Sequence, residues 1–482
     1  GGSSMAAEGS KLEYLRGFGN HFRSEALPGA LPNGQNNPQQ CPYGLYAEQL
    51  SGTAFTIPRS HNLRTWLYRI HPSVQHSKMS PSTIGGMGRA AGEPERAFQV
   101  DPNQMRWQPL HIPTKEERPL NFVEGIVTIG QAGDPRTKTG LAVHNYVANT
   151  SMVQKCMTNA DGDLLIVPQE GPLLITTEFG KMRVIPNEIC VVQRGMRFKV
   201  EVEQDANRGY ILETFQGHFE LPDLGPIGSN GLANPWDFES PVAAFEDKKE
   251  EWICYTKFGG AMFEMEQSFS PFNVVAYNGN YVPFKYDLRK FNCMNSVTYD
   301  HPDPSIYTVL TCPSAVKGVA VADFVIFPPR WMAMEHSFRP PWFHRNTMTE
   351  YMGLICGEYD AKKGGFVPGG ASLHSCMTPH GPDSDTFKRH SDPEQVDTSK
   401  PAFFDGGLAF MFETTYMLGL TEAAIHAPNR ELTYQQCWQD MPTNFEPTEE
   451  HKQEALAQQE SNHLLAWRAD AADSSKKRKT AP

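Results

Sequence analysis

The sequence predicts a mainly β protein of the sandwich or barrel type, and three observations support this fold class. Of the 482 residues, 39% are hydrophobic, which is enough to build a large core. The 40 glycines, 38 prolines, 28 phenylalanines and 16 tyrosines favour short strands joined by turns over a helical bundle. Short apolar runs are separated by turn formers at intervals of about 8–12 residues, as is typical of β-sandwiches.

A large N-terminal domain is predicted over residues 6–290. Its first part, residues 6–60, is rich in turn formers, and we expect it to wrap around a folded body as an ordered loop. Between residues 162 and 202, short apolar runs with intervening turns predict consecutive strands. Residues 217–236 contain too much glycine, proline and asparagine for regular structure, so we expect a long loop that packs against the protein.

A smaller C-terminal domain is predicted over residues 291–443, and its best candidate strands are residues 321–327, 347–359 and 407–418. The polar remainder, residues 444–482, is expected to be a partly disordered tail that contains one amphipathic helix. The basic run KKRK near its end is interpreted either as a solvated tail or as a nuclear-import signal.

Composition limits the partners and the location that we expect. The formal net charge is −12, whereas a nucleic-acid-binding protein usually presents a basic surface. The longest apolar stretches fall far short of the ~20 residues that span a membrane. The nine cysteines form no CxxC pair, and the start of the chain lacks the apolar segment of a signal peptide. We therefore expect a cytoplasmic protein with buried, reduced thiols and with neither nucleic-acid nor membrane partners.

The best candidate functional residues lie in the C-terminal domain, within PPWFHRNTMTEYMGLICG and GGFVPGGASLHSCMTPHGPD. His344 and Glu350 are six positions apart, and so are His374 and His380. An even spacing places two side chains on one face of a strand, whereas this spacing separates them on a helix. Two strands could therefore direct His344, Glu350 and one later histidine at a single point. The spacing leaves open which of the two later histidines that is.

Two imidazoles and one carboxylate on one face of a metal suit non-haem Fe(II) and O₂ chemistry, because other positions stay open. Zinc bound by two histidines and a glutamate is the competing assignment. The ordinary interpretation of any single histidine is a packed or hydrogen-bonded residue without a metal. The carboxylate, the even spacing and the strand context together favour a metal site.

This segment resembles the first cupin motif, HxH(x)₃₋₄E(x)₆G. His344 and Glu350 take two ligand positions, and Gly357 follows Glu350 at the spacing of the motif. Asn346 stands where the motif has its second histidine, which predicts a reduced set of ligands.

The second cupin motif is matched only roughly, because His374 falls one place late after residues 365–370. In the N-terminal domain, Gly180 and Pro186 have the spacing that opens this motif, but no histidine follows. Both domains therefore resemble cupins. The architecture implied is a cupin-like β-sandwich or jelly roll, with a large N-terminal domain that has no metal and a smaller C-terminal one that binds iron.

Longer strings resemble the homogentisate 1,2-dioxygenase family from about Tyr14 to Trp438. They include GQNNPQQCPYGLYAEQLSGTAFT, PNEICVVQRGMRF, HFELPDLGPIGSNGLANP, SPFNVVAYNGNY and FRPPWFHRN. The resemblance implies an Fe(II)- and O₂-dependent enzyme that opens the ring of homogentisate to give 4-maleylacetoacetate in phenylalanine and tyrosine catabolism. It also implies a homohexamer, arranged as a dimer of trimers.

The resemblance further implies a role for individual residues. Three would bind the iron: His344, Glu350 and His380. His380 is thereby preferred over His374, which becomes a residue of the pocket. His301 would be the catalytic base, and an unperturbed histidine pKa of about 6.5 suits proton transfer near neutral pH. Tyr359 and His380 would contact the substrate.

Two other functions remain open from the sequence. One is a non-catalytic bicupin for storage or ligand binding, without iron or O₂ uptake, and the other is a zinc or manganese cupin isomerase acting on sugars. The substrate carboxylate needs hydrogen-bond donors, and the nearby candidates in sequence are Asn346, Arg330, Arg345 and Lys363. For each of the basic residues the ordinary interpretation is a surface charge.

Overall fold

Strands make up most of the regular structure in the computed structural model, which describes residues 12–224, 232–296, 298–333, 335–359, 362 and 364–463. In chain order the strands are β1 Tyr14–Arg16, β2 Phe22–Glu25, β3 Tyr46–Ser51, β4 Arg64–Arg69, β5 Ser80–Pro81, β6 Met105–Trp107, β7 Ile126–Asp134, β8 Thr139–Ala148, β9 Lys155–Asn159, β10 Asp163–Glu170, β11 Leu173–Thr177, β12 Gly180–Val184, β13 Glu188–Val192, β14 Arg197–Val202, β15 Asn207–Thr214, β16 Phe238–Pro241, β17 Trp252–Phe258, β18 Ala261–Gln267, β19 Val274–Gly279, β20 Phe284–Asp287, β21 Thr308–Pro313, β22 Ala320–Phe327, β23 Arg330–Trp331, β24 Thr349–Gly357, β25 Ala371–His374, β26 Phe403–Phe404, β27 Gly407–Thr414 and β28 Gly419–Leu420. The helices are α1 Ser384–Ser391 and α2 Glu422–Ile425, and residues 449–463 are also helical. Single 3-10 turns span Pro42–Gly44, Arg59–His61, Pro135–Thr137, Pro235–Asp237, Leu288–Lys290, Pro304–Tyr307 and Tyr434–Trp438.

The strands of the described residues form three large sheets and two small ones. The nine-stranded sheet has the order β1-β16-β20-β13-β10-β15-β8-β7-β28, and the seven-stranded sheet has the order β12-β11-β14-β9-β17-β18-β5. The six-stranded sheet has the order β21-β22-β27-β24-β25-β6. The small sheets are β2-β19-β4-β3 and β23-β26.

The nine-stranded sheet is a middle layer that is buried on both faces. Leu164 and Ile166 of β10 pack in one core with the seven-stranded sheet. Leu165 and Val167 of the same strand pack in another core with the six-stranded sheet. Fully burying each such side chain contributes about 1.5–3 kcal/mol. Burial on both faces explains why this strand is continuously apolar, since a strand with one wet face would alternate.

The two halves of the chain exchange edge strands. The N-terminal strand β6 pairs with β25 in the six-stranded sheet, and the C-terminal strand β28 pairs with β7 in the nine-stranded sheet. Next to β28, the Thr421 hydroxyl donates a hydrogen bond of 2.8 Å to the Thr128 carbonyl oxygen. A boundary between compact units falls between Cys437 and Trp438. The division of the chain at residues 290 and 291 stays a prediction.

The predicted mainly β fold is confirmed, and its strong candidate strands correspond to β22, β24 and β27, with β10–β14 over residues 162–202. The loop expected over residues 6–60 is wrong in part, because β1, β2 and β3 lie there. Those strands pair with β16, β19 and β4. In residues 217–236 the described part contains no α-helix or strand.

Three smaller expectations also have an outcome. The predicted tail helix is present over residues 449–463, and the KKRK run lies outside the described residues. All nine cysteines are free, but the expectation of buried thiols is met by four of them: four others are half-buried, and Cys356 is exposed. Within the described ranges, no helix is long and apolar enough to cross a membrane.

Candidate metal centre

The candidate metal centre begins with the alternation of side chains along β24. Tyr351 points toward the nine-stranded sheet, where its hydroxyl donates a hydrogen bond of 2.8 Å to Asn145 Oδ1. Glu350, the preceding residue, points to the opposite face of the six-stranded sheet. The strand ends at Gly357, whose φ is +71° and where a side chain would clash with the Gly406 carbonyl oxygen. The glycine of the cupin-like motif is therefore required by the backbone.

Backbone pairing brings two histidines to this carboxylate. His344 N donates to the His380 carbonyl oxygen at 2.9 Å, and His380 N donates back to the His344 carbonyl oxygen at 3.1 Å. Their Nδ1 atoms lie 2.8 Å from the carbonyl oxygens of Trp342 and Thr378. These contacts place a hydrogen on Nδ1 and direct Nε2 at the carboxylate. Nε2 donates a hydrogen bond to Glu350 when the ring is protonated, and it can bind a metal when the ring is neutral. The Nε2 atoms of His344 and His380 lie 3.5 and 3.0 Å from the Glu350 carboxylate oxygens.

The third histidine, His374, lies beside this group. It is opposite Glu350 in the β24–β25 register, but its Nδ1 is 3.9 Å from the carboxylate. Its Nε2 is 3.0 Å from the Tyr434 hydroxyl, and its ring stacks on that of His380 with the centroids 4.3 Å apart. The donor atoms of His344, Glu350 and His380 all lie within 4.8 Å of one another.

Glu350 is an anion in this arrangement. Burial raises the pKa of Glu350, but hydrogen bonds with His344 and His380 hold it well below its ordinary value. The hydrogen bond to Glu350 raises the pKa of His344 against the effect of burial. Asn346 Nδ2 donates a further hydrogen bond of 2.7 Å to Glu350 Oε1. Asn346 thus orients the carboxylate from the position where the cupin motif has a second histidine.

A second carboxyl group lies next to Glu350 in the sheet. Glu413 of β27 is opposite Glu350 on one side and opposite Asp323 of β22 on the other. Burial, followed by the charges of Glu350 and Asp323, raises the pKa of Glu413 to about 7. Glu413 is therefore partly protonated near neutral pH, since two close carboxylates resist simultaneous ionisation.

A cavity of about 40 Å³ opens on the group. It is lined by the three clustered residues and by Arg106, Pro341, Met352, Tyr359, Lys362, Phe366, Ser372, His374, Gly381, Pro382 and Tyr434. One water needs about 10–15 Å³ of such volume, so the cavity has room for more than one water.

The wall of this cavity contains three functional candidates that the sequence did not reveal. Lys362 is 6% exposed and donates a hydrogen bond to the Tyr434 hydroxyl. Burial lowers the pKa of Lys362 to about 8. Arg106 lies over the Tyr434 ring, with its guanidinium carbon 4.5 Å from the ring centroid, and binds Glu431. These residues come from three distant parts of the chain, and no local spacing could have grouped them.

The family resemblance also implies roles for Tyr359 and His301, which lie at different places in the structure. Tyr359 lines the cavity and packs edge-on against Phe327 and Phe366. His301 is 5% exposed, and its ring lies edge-on to Trp342 with the centroids 6.2 Å apart. His301 Nδ1 is 2.9 Å from the Pro302 carbonyl oxygen. His301 is not among the described residues that line the cavity.

The structure also places the candidates for binding a substrate carboxylate. Arg330 is 2% exposed and lies over the rings of Tyr307, Phe327 and Phe404, so it is not a surface charge. Arg345 is exposed. Lys363 lies outside the described residues.

The donor atoms present fit a divalent transition metal. Imidazole nitrogen and carboxylate oxygen are the ligands of mononuclear iron, zinc and manganese sites. His374 Nδ1 is buried without a hydrogen-bond partner among the described residues, so a buried polar atom faces the same group. A divalent ion would offset the charge of the buried Glu350. The assignment of His344, Glu350 and His380 as metal ligands stays a prediction.

Comparison with known proteins identifies the family. Residues 13–288 match the family model described as homogentisate 1,2-dioxygenase N-terminal, and residues 289–445 match the model described as homogentisate 1,2-dioxygenase C-terminal. The human homogentisate 1,2-dioxygenase is 53% identical over 443 residues, which cover 91% of this chain and 98% of that protein. The Dictyostelium discoideum homogentisate 1,2-dioxygenase is 55% identical over 443 residues, which cover 91% of this chain and 99% of that protein.

Among solved structures, an oxalate decarboxylase variant of Bacillus subtilis aligns with 73% of this chain and 88% of its own. The sequence identity is 12% and the TM-score is 0.26, too low to add to the argument. The family models and the curated relatives cover nearly the whole chain, and they confirm the resemblance predicted from the sequence strings. The chain belongs to the homogentisate 1,2-dioxygenase family.

Proposed function

We propose that the protein is a homogentisate 1,2-dioxygenase that uses Fe(II) and O₂ to open the aromatic ring of homogentisate, giving 4-maleylacetoacetate. The observation that carries the proposal is the convergence of His344, Glu350 and His380 within 4.8 Å, in a chain that belongs to this family. Two imidazoles and one carboxylate on one side of a metal leave positions for a substrate and for O₂.

His344, Glu350 and His380 would hold the iron. When bound, Fe(II) supplies the oxidising chemistry with O₂, and the protein supplies orientation and charge. Glu350 contributes the negative charge, and Asn346 and the two histidine–carbonyl contacts fix the direction of the ligand atoms. Such outer contacts commonly change metal affinity or activity by about 10–100-fold when they are removed.

His301 is the proposed base for the substrate hydroxyl. Its Nδ1 contacts the Pro302 carbonyl oxygen at 2.9 Å, which requires a hydrogen on Nδ1. In the neutral ring, Nε2 therefore carries the lone pair and can accept a proton. Deprotonation makes the hydroquinone ring electron-rich enough to react with O₂. His301 lies next to the segment that leads to His344, through its contact with Trp342.

The remaining contacts orient the substrate. Tyr359 lines the cavity and offers a phenol hydroxyl, and His380 lines the same cavity, so both are proposed to contact the substrate. The acetate group of homogentisate needs a cationic partner in a buried site. Apart from the histidines, Lys362 and Arg106 are the basic side chains among the described cavity residues, and the charge of Arg106 is offset by Glu431. We propose that the ammonium group of Lys362, which also donates a hydrogen bond to the Tyr434 hydroxyl, binds the acetate.

The decisive experiment is O₂ uptake by the purified protein with homogentisate, Fe(II) and ascorbate, together with metal analysis. We expect consumption of one O₂ per homogentisate and one iron per chain. A storage bicupin would take up no O₂. A zinc or manganese isomerase would leave homogentisate unchanged and would contain the other metal. Either result would reject the proposal.

We also propose a homohexamer, arranged as a dimer of trimers and located in the cytoplasm. This proposal rests on the family resemblance and on the reduced state expected for its nine unpaired cysteines. Light scattering during gel filtration should give six times the 53.9 kDa chain mass. A monomeric mass would contradict the hexamer.

A further inference from the structure

A cavity of about 320 Å³ lies in the N-terminal half, and it shares no lining residue with the cavity at the metal centre. It lies between the end of β7 and the turn that joins β17 to β18. Small-molecule sites in proteins usually occupy about 300–1,000 Å³, so this cavity has room for a small ligand. The charged residues of its lining are Arg89, Glu95, Arg96, Asp134, Arg136 and Lys257.

Two of the four cations in this lining are balanced by carboxylates of the protein. Arg136 Nη2 lies 2.7 Å from Asp134 Oδ2 and 3.3 Å from Glu95 Oε1. Lys257 forms ion pairs of 2.6 and 3.1 Å with two buried carboxylates that lie outside the lining. The acidic residues of the cavity are thus neutralised by Arg136, and they leave no negative charge to repel an anion.

Arg96 is half-buried and has no carboxylate partner among the described residues. Its Nη1 donates a hydrogen bond of 2.8 Å to the Thr128 hydroxyl, and its Nη2 donates to the carbonyl oxygens of Gly86 and Gly88 at 2.8 and 2.9 Å. These three acceptors are neutral, and two of the five guanidinium N–H groups are left for a ligand. Burial lowers the pKa of Arg96 more than the charge of Glu93 raises it, so the protein does not compensate this cation.

A second arginine of the lining, Arg89, also forms no ion pair within the described ranges. Its side chain is exposed, and its Nη1 donates one hydrogen bond of 3.3 Å to the Glu93 carbonyl oxygen. Its backbone is fixed, because Arg89 N donates to the Gly260 carbonyl oxygen and Met262 N donates to the Arg89 carbonyl oxygen, both at 2.9 Å. One half-buried and one exposed cation therefore line the same cavity without a counter-anion.

We propose that this cavity binds a phosphate group, with Arg96 as its half-buried partner and Arg89 as its exposed one. A phosphate group carries about 1.5–2 negative charges at neutral pH, which matches the two uncompensated guanidinium groups. Arginine is well suited to phosphate because its N–H groups match the geometry of the phosphate oxygens. A free phosphate ion and a small phosphate monoester both present this group.

The guanidinium group of Arg96 is held in place by the protein alone. The Thr128 hydroxyl, which accepts a hydrogen bond from Arg96, lies 2.8 Å from the Gly86 carbonyl oxygen and 3.0 Å from His144 Nδ1. The same Gly86 carbonyl oxygen accepts a hydrogen bond from Arg96. A cation that is already ordered loses little conformational entropy when it binds a ligand, which favours binding.

The cavity lies where the C-terminal strand β28 completes the nine-stranded sheet. Gln131 lines the cavity and is opposite Gly419 in the β7–β28 register. The Thr128 residue that holds Arg96 also accepts, at its carbonyl oxygen, the hydrogen bond from Thr421. A ligand that binds only the folded chain stabilises it by mass action. Bound phosphate should therefore stabilise the closure of this sheet by β28.

The test is isothermal titration calorimetry with inorganic phosphate and, separately, with glycerol phosphate, at constant ionic strength. We expect saturable binding of one ligand per chain. Arg96→Gln should weaken binding about 10–150-fold, the usual contribution of hydrogen bonds to a charged group. Arg89→Gln should weaken it as well. Arg59→Gln removes the same charge from an exposed arginine outside the cavity, so it is the matched control and should bind like the wild type.

Thermal unfolding gives a second measurement that needs neither bound metal nor enzymatic activity. Phosphate should raise the thermal midpoint of the wild type relative to chloride at the same ionic strength, and both cavity variants should lose this rise. Circular dichroism checks folding, and Arg89→Gln decides the test if Arg96→Gln does not fold, because the Arg89 side chain is exposed.

Three results would overturn the proposal. One is a wild type that binds neither probe at millimolar concentration. Another is unchanged binding in both Arg96→Gln and Arg89→Gln, which would place the phosphate elsewhere, for example at the metal centre. The third is an equal loss in Arg59→Gln, which would show that net charge alone attracts the anion. With the proposal upheld, tighter binding of glycerol phosphate would identify a monoester as the ligand, and equal binding would identify the free ion.

Discussion

Glu350 and Glu413 are adjacent carboxyl groups, directly opposite each other on β24 and β27, and their pKa values are shifted in opposite directions. Hydrogen bonds with His344 and His380 overcome burial and hold the pKa of Glu350 well below its ordinary value. Burial and the charge of Glu350 raise the pKa of Glu413 to about 7. The two residues are of the same type and lie side by side, yet at neutral pH Glu350 is ionised and Glu413 is only partly ionised.

This difference predicts opposite results for the same substitution at the two positions. Glu350→Gln removes the anion that offsets the metal charge, so we expect loss of bound iron and of turnover. Glu413→Gln resembles the protonated form that Glu413 partly adopts at neutral pH, and we expect iron content and turnover within about threefold of the wild type. Iron analysis and O₂ uptake of both variants check this. Full activity of Glu350→Gln would remove its carboxylate from the set of ligands.

The second prediction concerns the choice between two histidines. His380→Ala should release the iron, because its Nε2 is the histidine nitrogen nearest to the Glu350 carboxylate. His374→Ala should keep most of the iron, because His374 Nε2 contacts Tyr434 instead. Iron per folded chain is the measurement, with circular dichroism as the check on folding. An empty site in His374→Ala and a filled one in His380→Ala would reverse the assignment.

His301 should affect the reaction without affecting the metal. We expect His301→Gln to bind iron and homogentisate normally and to lose about 10²–10⁴-fold in turnover, the usual contribution of a general base. The loss should shrink as the pH rises toward the pKa of the substrate hydroxyl, because the solvent then deprotonates it. The pH–rate profile and the iron content of the variant test this. Loss of iron would make His301 a ligand, and normal turnover at pH 7 would exclude it as the base.

Lys362→Met should weaken substrate binding more than catalysis. Hydrogen bonds to charged groups contribute about 1.5–3 kcal/mol, which corresponds to a rise in KM of about 10–150-fold. Homogentisate lacking its acetate group, simple hydroquinone, should show the same KM with the variant and the wild type. Equal loss for both substrates would show that Lys362 supports the cavity wall rather than the acetate.

A pH dependence of stability is expected from His218 and Asp163, whose Nδ1 and Oδ2 lie 2.6 Å apart. Burial lowers the pKa of His218, but Asp163 raises it above 6.5. Burial raises the pKa of Asp163, but His218 and Arg194 hold it well below 3.8. The contribution of His218 to the free energy of unfolding is complete below pH 6.5 and is lost as the pH rises through the raised pKa of His218. The contribution of Asp163 is present above pH 3.8 and is lost as the pH falls through the lowered pKa of Asp163.

The ion pair of His218 and Asp163 therefore stabilises the folded protein most between pH 3.8 and pH 6.5. Breaking a buried ion pair costs about 3–5 kcal/mol, so His218→Gln should lower the thermal midpoint most in that range. The difference from the wild type should decrease as the pH rises further. A difference that is constant from pH 5 to pH 9 would show that the charge of His218 does not contribute.

The sequence predicted those parts of the fold that depend on local pattern. β22, β24 and β27 were recognisable from their apolar residues, and His344 and Glu350 from their spacing in the cupin-like motif. β1, β2 and β3 were not recognisable. They are short and lie among turn formers. β1 and β2 form because strands far along the chain, β16 and β19, pair with them, and β3 forms as the partner of β4.

The choice of the later histidine could not follow from spacing, since either position satisfied it. In the structure, the turn after β25 returns residues 375–380 toward His344, and the backbone bridge then places His380 at the carboxylate. Lys362 and Tyr434 meet across 72 positions, and Arg106 and Glu431 across 325. Contacts of this kind depend on the assembled sheets and have no signal in a single sequence.

The exchange of β6 and β28 has a consequence for synthesis of the chain on the ribosome. The N-terminal half emerges first, and domains commonly begin to fold in that order. Here the nine-stranded sheet lacks its last edge strand until Gly419 and Leu420 have left the tunnel. A nascent chain that stops near residue 290 would expose β7 as an unpaired edge, a surface that promotes aggregation. Truncated products should therefore depend on chaperones, whereas the finished chain closes its own edge.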